Sequence, residues 1–575
     1  MKKLYPNIKV LLFTALSVML SGSCARHTQD HSTGAQPPHL EKRGQATQLI
    51  VEDKPFLVLG CELGNSTASS REYMKQVWPK LKESGVNTVL AVVSWDQLEP
   101  EEGRFDFSVV DGLLEDAREN DLKLSLLWFG SWKNGITSYT PSWVKRDPQR
   151  FPPALTPEGK PLPILSTLGN ETNKADTRAY AALMKHLKDV DAAEQTVIMM
   201  QIENEVGLHG HPRDYSPQAE TAFKSEIPTE LTEWLSTHKE ELLPETRAAW
   251  EENGFRMQGT WEEVFGANDR AAEIFMAWNY ARYMDQIAAA GKKEYDIPTF
   301  VNAWIVQPED TRPGNYPSGG PQVQNHDIWR AAAPNIDILS PDIYLDDFPE
   351  VARLYSRGGN PLFVPESRSG QNGAANAAYA IGSLNAIGYS PFGFERNCDE
   401  ESNDTFRQFY HKAGSIADII LNAQAEGRIG ATWLKGSNPE KVKDEIQLGD
   451  LRIICELVSS GMRNGGAPQL TGGTYDPEAI GYLIAIQQED DWLFLGSNLR
   501  VTFLPADGEG YIGLAKVTEG EFDEKGQWKE GRWLNGDEIQ LRYDLLYAVD
   551  EGFSGQGLNF GTPNPEILKV EFFNY

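Results

Sequence analysis

Cysteine is nearly absent from this chain: four residues in 575, Cys24, Cys61, Cys398 and Cys455, with no Cys-x-x-Cys spacing. That excludes a disulfide framework and a cysteine metal site, and it leaves small buried side chains as the role of the last three. Basic charge is also scarce. Fifty-three Lys and Arg against 83 Asp and Glu give a formal net charge of -30, so a nucleic acid partner is excluded for want of a basic face. Histidine numbers only nine, and there is no His-Glu-x-x-His, no Gly-x-x-x-x-Gly-Lys phosphate loop and no Gly-x-Ser-x-Gly elbow. His209-Gly-His211 lacks ligands at metal spacing and suits a loop beside a binding site, and Gly555-Gln-Gly557 is a turn. No metal and no cofactor are expected.

Apolar runs long enough to span a membrane are missing too. The one continuous stretch, Val10 to Leu20, follows Lys2 and Lys3 and precedes small residues and Cys24, which is the pattern of an export signal over residues 1–24. Leu20-Ser-Gly-Ser-Cys24 resembles a bacterial lipoprotein signal, with the leucine one place further from the cysteine than usual. Lipidation at Cys24 is the expectation, with simple secretion as the alternative. Residues 25–46 would be a polar tether, and the protein an outer-membrane or periplasmic lipoprotein of a bacterium that touches membrane only through that anchor. Nothing in the sequence indicates an oligomeric state.

What is present is an alternation. Eight β-type runs, Phe56–Gly60, Thr88–Val93, Leu122–Trp128, Thr196–Ile202, Thr299–Asn302, Ile336–Leu339, Leu362–Val364 and Ser390–Phe394, are separated by helical patterns such as Tyr73–Ser84 and Ala271–Ala290. This predicts an α/β fold, a (β/α)8 TIM barrel over residues 47–440, with a helical insertion at about 209–266. Beyond that, short β-prone runs between Gly, Asn and Asp turns predict a C-terminal antiparallel β-sandwich domain over 441–575, covering one flank of the barrel.

Charge at the ends of two such runs needs a reason. Thr196-Val-Ile-Met-Met-Gln-Ile-Glu-Asn-Glu-Val206 delivers Asn204 and Glu205 at the end of the fourth strand, and Pro361-Leu-Phe-Val-Pro-Glu366 delivers a carboxylate at the end of the seventh. Two such acids ~5 to 5.5 Å apart are the equipment for cleaving a glycosidic bond with retention: one protonates the leaving oxygen, the other attacks the anomeric carbon. Asn204 is placed to bind the sugar 2-hydroxyl. The bland alternative is an ion pair between Glu203 or Glu205 and a barrel arginine.

With these residues in place, the chain resembles the retaining glycoside hydrolases of the β/α-barrel clan. It is most similar to glycoside hydrolase family 35, the β-galactosidases, in a bacterial subgroup with an added β-domain. Gln201-Ile-Glu-Asn-Glu-Val-Gly207, Gly85-Val-Asn-Thr88, Trp95-Asp-Gln-Leu-Glu-Pro100 and Gly103-Arg-Phe-Asp-Phe107 carry the resemblance, which spans about residues 50 to 400. It implies Glu205 as acid/base, Glu366 as nucleophile, Asn204 as ligand of the 2-hydroxyl and Tyr344 as a hydrogen-bond donor to the nucleophile; a core tyrosine is the alternative for Tyr344. Where familiar members carry a glutamate before the tryptophan ending strand three, this chain has Ser131 before Trp132. Hydroxyl recognition would then fall to Ser131 with Glu62 or Asn65, and sugar stacking to Trp304 and Trp132, with Trp95 and Trp128 as further strand-end indoles. The resemblance implies a retaining exo-β-galactosidase acting on plant-type oligosaccharides such as hemicellulose side chains. Another β-glycosidase of the clan and an inert carbohydrate-binding lipoprotein are the rivals.

Overall fold

A computed structural model describes residues 36–458, 475–523, 526–536, 538–539, 554–561 and 563–574. The export signal and Cys24 lie outside them. No helix of the described residues is long and apolar enough to cross a membrane.

Eight parallel strands close into a barrel in chain order: β1 (Val58–Glu62), β2 (Thr88–Ser94), β3 (Lys123–Lys133), β4 (Val197–Asn204), β5 (Thr299–Trp304), β6 (Ile338–Ile343), β7 (Phe363–Ser367) and β8 (Gly388–Pro391). Each of the eight apolar runs contains or overlaps one of them. The pleat sorts their side chains. In β2, Val89, Ala91 and Val93 pack outward against the helices, whereas Leu90 and Val92 join Val58, Leu127, Phe129, Ile198, Phe300, Ile338 and Phe363 in an interior cluster.

That cluster also takes in Leu49 and Val51, from a three-stranded antiparallel sheet of His39–Arg43, Ala46–Val51 and Lys54–Phe56. The sheet meets the first residues of the barrel strands and floors the barrel there. The expected tether to residue 46 is therefore corrected: from His39 the chain is paired sheet, because Ala46, Leu49, Ile50 and Val51 supply an apolar face that the polar composition around them obscured.

The insertion after β4 holds four helices, Pro217–Lys224, Thr229–Thr237, Pro244–Glu251 and Trp261–Phe265, ahead of the crossover helix Asp269–Glu294. Its first residues meet the loop after β5 through a Leu208 to Ser318 bridge, which sets it at the carboxyl end of the barrel.

The C-terminal region is two antiparallel sheets. Ile429–Lys435, Ile480–Gln487, Trp492–Ser497, Glu566–Asn574, Ile512–Phe522 and Trp528–Trp533 form one, in that order; Lys443–Leu448, Leu451–Leu457, Leu499–Pro505 and Gly557–Phe560 form the other. Leu483, Ala485 and Phe494 of the first share a core with Ile453, Cys455 and Val501 of the second. The opposite face of the first sheet, with Trp433, Tyr482 and Ile484, packs into the barrel's own core. It seats on Gly370–Leu384, the helix that follows β7: Gln371 Nε2 donates to Ile480 O at 3.0 Å, Ser383 Oγ to Ala431 O at 2.6 Å and Trp433 Nε1 to Asn376 Oδ1 at 3.0 Å. The antiparallel region thus starts at Ile429, ahead of the expected boundary at 441, and with the barrel it forms one compact unit from Gln36 onward. Cys61, Cys398 and Cys455 are free and buried.

Candidate active site

The pleat brings Asn302 and Asp342 inward, two residues beyond Phe300 and four beyond Ile338 on β5 and β6. Glu366 would point outward by the same count from Phe363. A bulge corrects this: Val364 and Ser367 pair with Tyr389 and Pro391, three steps along β7 against two along β8. On β4 the strand ends in left-handed backbone at Glu203 (φ 58°) and Glu205 (φ 44°), a conformation that costs free energy in a non-glycine residue and is held by its surroundings. For Glu205 the restraint is its N–H donating to Asn302 Oδ1 at 2.9 Å. At Gly207 φ reaches 142°, and a Cβ there would lie 2.4 Å from Pro317, so only glycine fits.

The result is a convergence. Glu205, Asp342 and Glu366 each have a carboxyl oxygen within 4.8 Å of the others, and all three are buried. Among the described residues this is the acid group compact enough to hold an ion, and its donor set serves proton chemistry equally. Burial first and Glu205 second push Glu366 up to about 7, while Lys133 and the Tyr344 hydroxyl draw it down. Burial also raises Glu205, against Lys133. Two acids this close titrate as a pair. Tyr344 follows β6 directly and is 37% exposed, which places it at the mouth with its hydroxyl on the nucleophile candidate rather than in the core.

Asn204 and Glu62 are where a small polar ligand would find partners. Lys133 Nζ donates to Asn204 Oδ1 at 2.8 Å, which fixes the amide and leaves Nδ2 without a partner. Glu62 is fully buried with neither carboxyl oxygen hydrogen-bonded, and burial, then Glu366, raises its pKa. Asn65 Oδ1 and Glu366 Oε2 are likewise unpartnered. Orphaned buried acceptors are costly unless a ligand satisfies them. Trp304 is half-buried at the end of β5, edge-to-face with His209 at 5.5 Å, so the His209 loop lies beside the mouth.

Two expectations fail, and one irregularity explains both. Five steps along β3, Trp128 to Lys133, match two along β4, Ile202 to Asn204, so the intervening residues loop outward. Ser131 is fully buried, its Oγ 2.6 Å from Asp176 Oδ2 and 2.9 Å from the Tyr283 hydroxyl, and is not a sugar ligand. Trp132 is 1% exposed, donates to Leu165 O at 3.1 Å and packs edge-on against Tyr280 and Tyr283; it is a core residue. Trp128, donating to Asp176 Oδ1, and Trp95, donating to Glu99 Oε2, are buried as well.

Nor does Glu203 pair with an arginine. Its oxygens accept the Ser131 and Trp132 N–H groups at 2.9 and 2.8 Å, and it hydrogen-bonds Asp176, both acids being raised chiefly by burial. Together they brace the β3 loop against β4.

Lys133 and Asp342 were not singled out from sequence. Lys133 ends the β3 run directly after Trp132, and Asp342 interrupts an apolar strand in Ser340-Pro-Asp-Ile-Tyr344. The signal was charge at a strand end, the same one that marked Glu205 and Glu366.

Known proteins bear on this arrangement. Residues 65–351 match the glycoside hydrolase family 42 model, described as beta-galactosidase, and 406–545 a domain of unknown function (DUF5597). The first match is to family 42, where the motifs resembled family 35. "Beta-galactosidase LacZ" of Heyndrickxia coagulans is 23% identical over 238 residues, 39% of this chain and 33% of that protein. "Beta-galactosidase-1-like protein 3" of Homo sapiens is 29% identical over 210 residues, 33% of this chain and 27% of that protein. The chain spans a third or less of the length of these relatives. Among solved structures, the β-galactosidase of Bacillus circulans sp. alkalophilus aligns over 64% of this chain and 57% of its own, with a TM-score of 0.42 and 15% identity. The catalytic domain of a Paenibacillus polymyxa β-amylase aligns over 61% and 96%, with a TM-score of 0.43 and 14% identity. Both likenesses are distant. Residues 65–351 are thus similar to the glycoside hydrolase family 42 β-galactosidases.

Proposed function

We propose that the chain is a retaining exo-β-galactosidase that removes terminal β-galactosyl residues from plant-type oligosaccharides such as hemicellulose side chains. The observation that carries this reading is that Glu205 and Glu366, at the carboxyl ends of β4 and β7, bring carboxyl oxygens within 4.8 Å of each other, close enough for the second acid itself to reach the anomeric carbon in a double displacement. Glu205 gives its proton to the glycosidic oxygen as the bond to the anomeric carbon breaks. Glu366, held ionised by Tyr344 and Lys133, bonds to that carbon. Glu205, now a carboxylate, takes a proton from water; the water oxygen attacks the anomeric carbon and Glu366 departs. Asn204 Nδ2, oriented by Lys133, donates to the 2-hydroxyl oxygen as positive charge develops on the ring.

Glu62 and Asn65 are the hydroxyl ligands in this reading, and Trp304 the stacking face. Finer placement in family 35 rests on Gln201–Gly207 and its companion motifs alone. With Ser131 turned away and Lys133 beside the acids, the hydroxyl contacts differ from those implied by the resemblance, which favours a second reading: a β-glycosidase of the same barrel class that prefers another pyranose.

A panel of aryl β-glycosides tests both. Fastest release from the galactoside supports the first reading, fastest release from another sugar the second, and no release from any would overturn both in favour of an inert binder. Export with lipidation at Cys24 is likewise a proposal: Cys24→Ala should move the protein from the membrane fraction to the soluble one, and no change would exclude the anchor.

A further inference from the structure

We propose that Glu203 is a positioning residue for recognition of the sugar 2-hydroxyl: it clamps the end of β3 so that Lys133 reaches Asn204 and turns its amide N–H toward the substrate. The inference deepens the reading above and rests on it for the identity of the ligand. Its basis is a row of four hydrogen bonds along the seam between β3 and β4. Glu203 Oε1 and Oε2 accept the consecutive N–H groups of Ser131 and Trp132 at 2.9 and 2.8 Å. Lys133 Nζ, on the next residue, donates to Asn204 Oδ1 at 2.8 Å, and the Asn134 N–H donates to Asn204 O at 3.1 Å. Successive residues at one strand end are thus held by two successive residues of its neighbour.

Regular pairing would not bring Lys133 there. Continued from Trp128 and Ile202, which face each other, it sets Gly130 level with Asn204 and Lys133 three residues, ~10 Å, beyond it. The loop takes up that excess, and its N–H groups, having left the ladder, need other acceptors. Glu203 supplies two in one side chain. Gly130 lies against the same carboxyl, where a Cβ would stand 2.6 Å from Oε1. Asp176 holds the loop from its other side, accepting from Ser131 Oγ at 2.6 Å.

The chemistry of the donor sets the far end of this relay. A lysine ammonium only donates, so the Asn204 atom facing it is the oxygen, and Nδ2 is turned away. Asn204 is 1% exposed and Nδ2 has no partner in the protein, which leaves it for an acceptor that the substrate brings. Without the lysine the amide is free to turn over and present its oxygen instead. The ammonium therefore decides whether the site gives or takes a hydrogen bond at that point. Its own freedom is small: Lys133 is buried, with Nζ 5.4 Å from the centre of the Phe129 ring.

Substrates that differ only at the second carbon test this. In the unsubstituted protein kcat/KM should be ~100-fold higher for the aryl glycoside released fastest than for its 2-deoxy analogue. That ratio should collapse to below ~10-fold in Lys133→Met and in Glu203→Gln, whose amide offers one acceptor where two are needed. A Glu203→Gln protein that loses activity equally on both sugars would make the clamp merely structural and overturn the proposal. Should that variant not fold, Gly130→Ala, which presses on the same carboxyl, takes its place with the same expected collapse and the same overturning result. An unchanged ratio in Lys133→Met also overturns it, and with cleavage intact it sinks this inference alone. If no aryl glycoside is cleaved, the hydrolase reading falls and calorimetry decides the matter without turnover. Galactose bound more tightly than 2-deoxygalactose, with the preference lost in the variants, would support the relay; equal binding of the two, or binding of neither, would overturn it.

Discussion

At the scale of single residues, the site is a set of acids whose charges are placed by neighbouring donors. Tyr344 is the clearest case: its hydroxyl favours the ionised form of Glu366, whose pKa stands at about 7. Removing the donor raises that value, and the nucleophile is lost as pH falls through it. Tyr344→Phe should therefore move the acid limb of kcat/KM upward by roughly one pH unit, leaving the rate above pH 8 less affected; an unmoved limb would show that the hydroxyl does not serve the nucleophile. Glu205→Ala should lose ~10²- to 10⁴-fold on poor leaving groups and recover with added azide, and a fluorinated slow substrate should label Glu366, read by peptide mass. Of this set, Glu205, Asn204 and Glu366 were legible in the sequence because charge at the end of an apolar strand has few structural excuses. Asp342 and Lys133 gave the same sign. They were passed over because the chemistry of cleavage calls for two acids and says nothing of their partners.

At the scale of elements, departures from regular pairing decide what faces the site. The bulge in β7 turns Glu366 inward, and the looped end of β3 takes Ser131 and Trp132 away from it. Neither is visible in a sequence, since a strand pattern tells alternation but not where one residue too many has been fitted. The eight strands themselves were legible, because their apolar runs are long, β-branched and separated by helical periodicity. Gly130 marks the β3 loop: a Cβ would stand 2.6 Å from Glu203 Oε1 and Trp128 Nε1 and 2.7 Å from Asp176 Oδ1. Gly130→Ala should destabilise by ~1 to 3 kcal/mol, measured in urea, by prising apart the acid pair that braces β3 on β4. Trp132→Ala should cost ~3 to 5 kcal/mol in the same assay as a core truncation, whereas Trp304→Ala should leave stability nearly unchanged and raise KM. A Trp132 variant of full stability with raised KM would return that indole to the sugar.

At the scale of the whole molecule, buried acids govern the response to pH. Glu62, Asp176, Glu203, Glu205, Asp342 and Glu366 all have raised pKa values, with burial as the leading cause. The folded chain keeps protons that the unfolded chain has released, so their contribution is fully present below about pH 4 and is lost as pH rises through the folded values. Mutual repulsion within a chain of net charge -30 adds in the same direction. Tm should fall by ~5 °C or more between pH 5 and pH 8, followed by calorimetry, and a rise would contradict the protonated cluster. The sheet seated on Gly370–Leu384 makes barrel and tail melt together, so the same scans should show one transition.

The floor laid by Leu49 and Val51 closes the far end of the barrel. On the proposed exo-acting reading, cargo must therefore back out through the doorway it came in by, and a freed monosaccharide blocks the next chain end until it has gone. Added galactose should raise KM without lowering the maximal rate, a traffic rule imposed by three short strands that touch none of the chemistry.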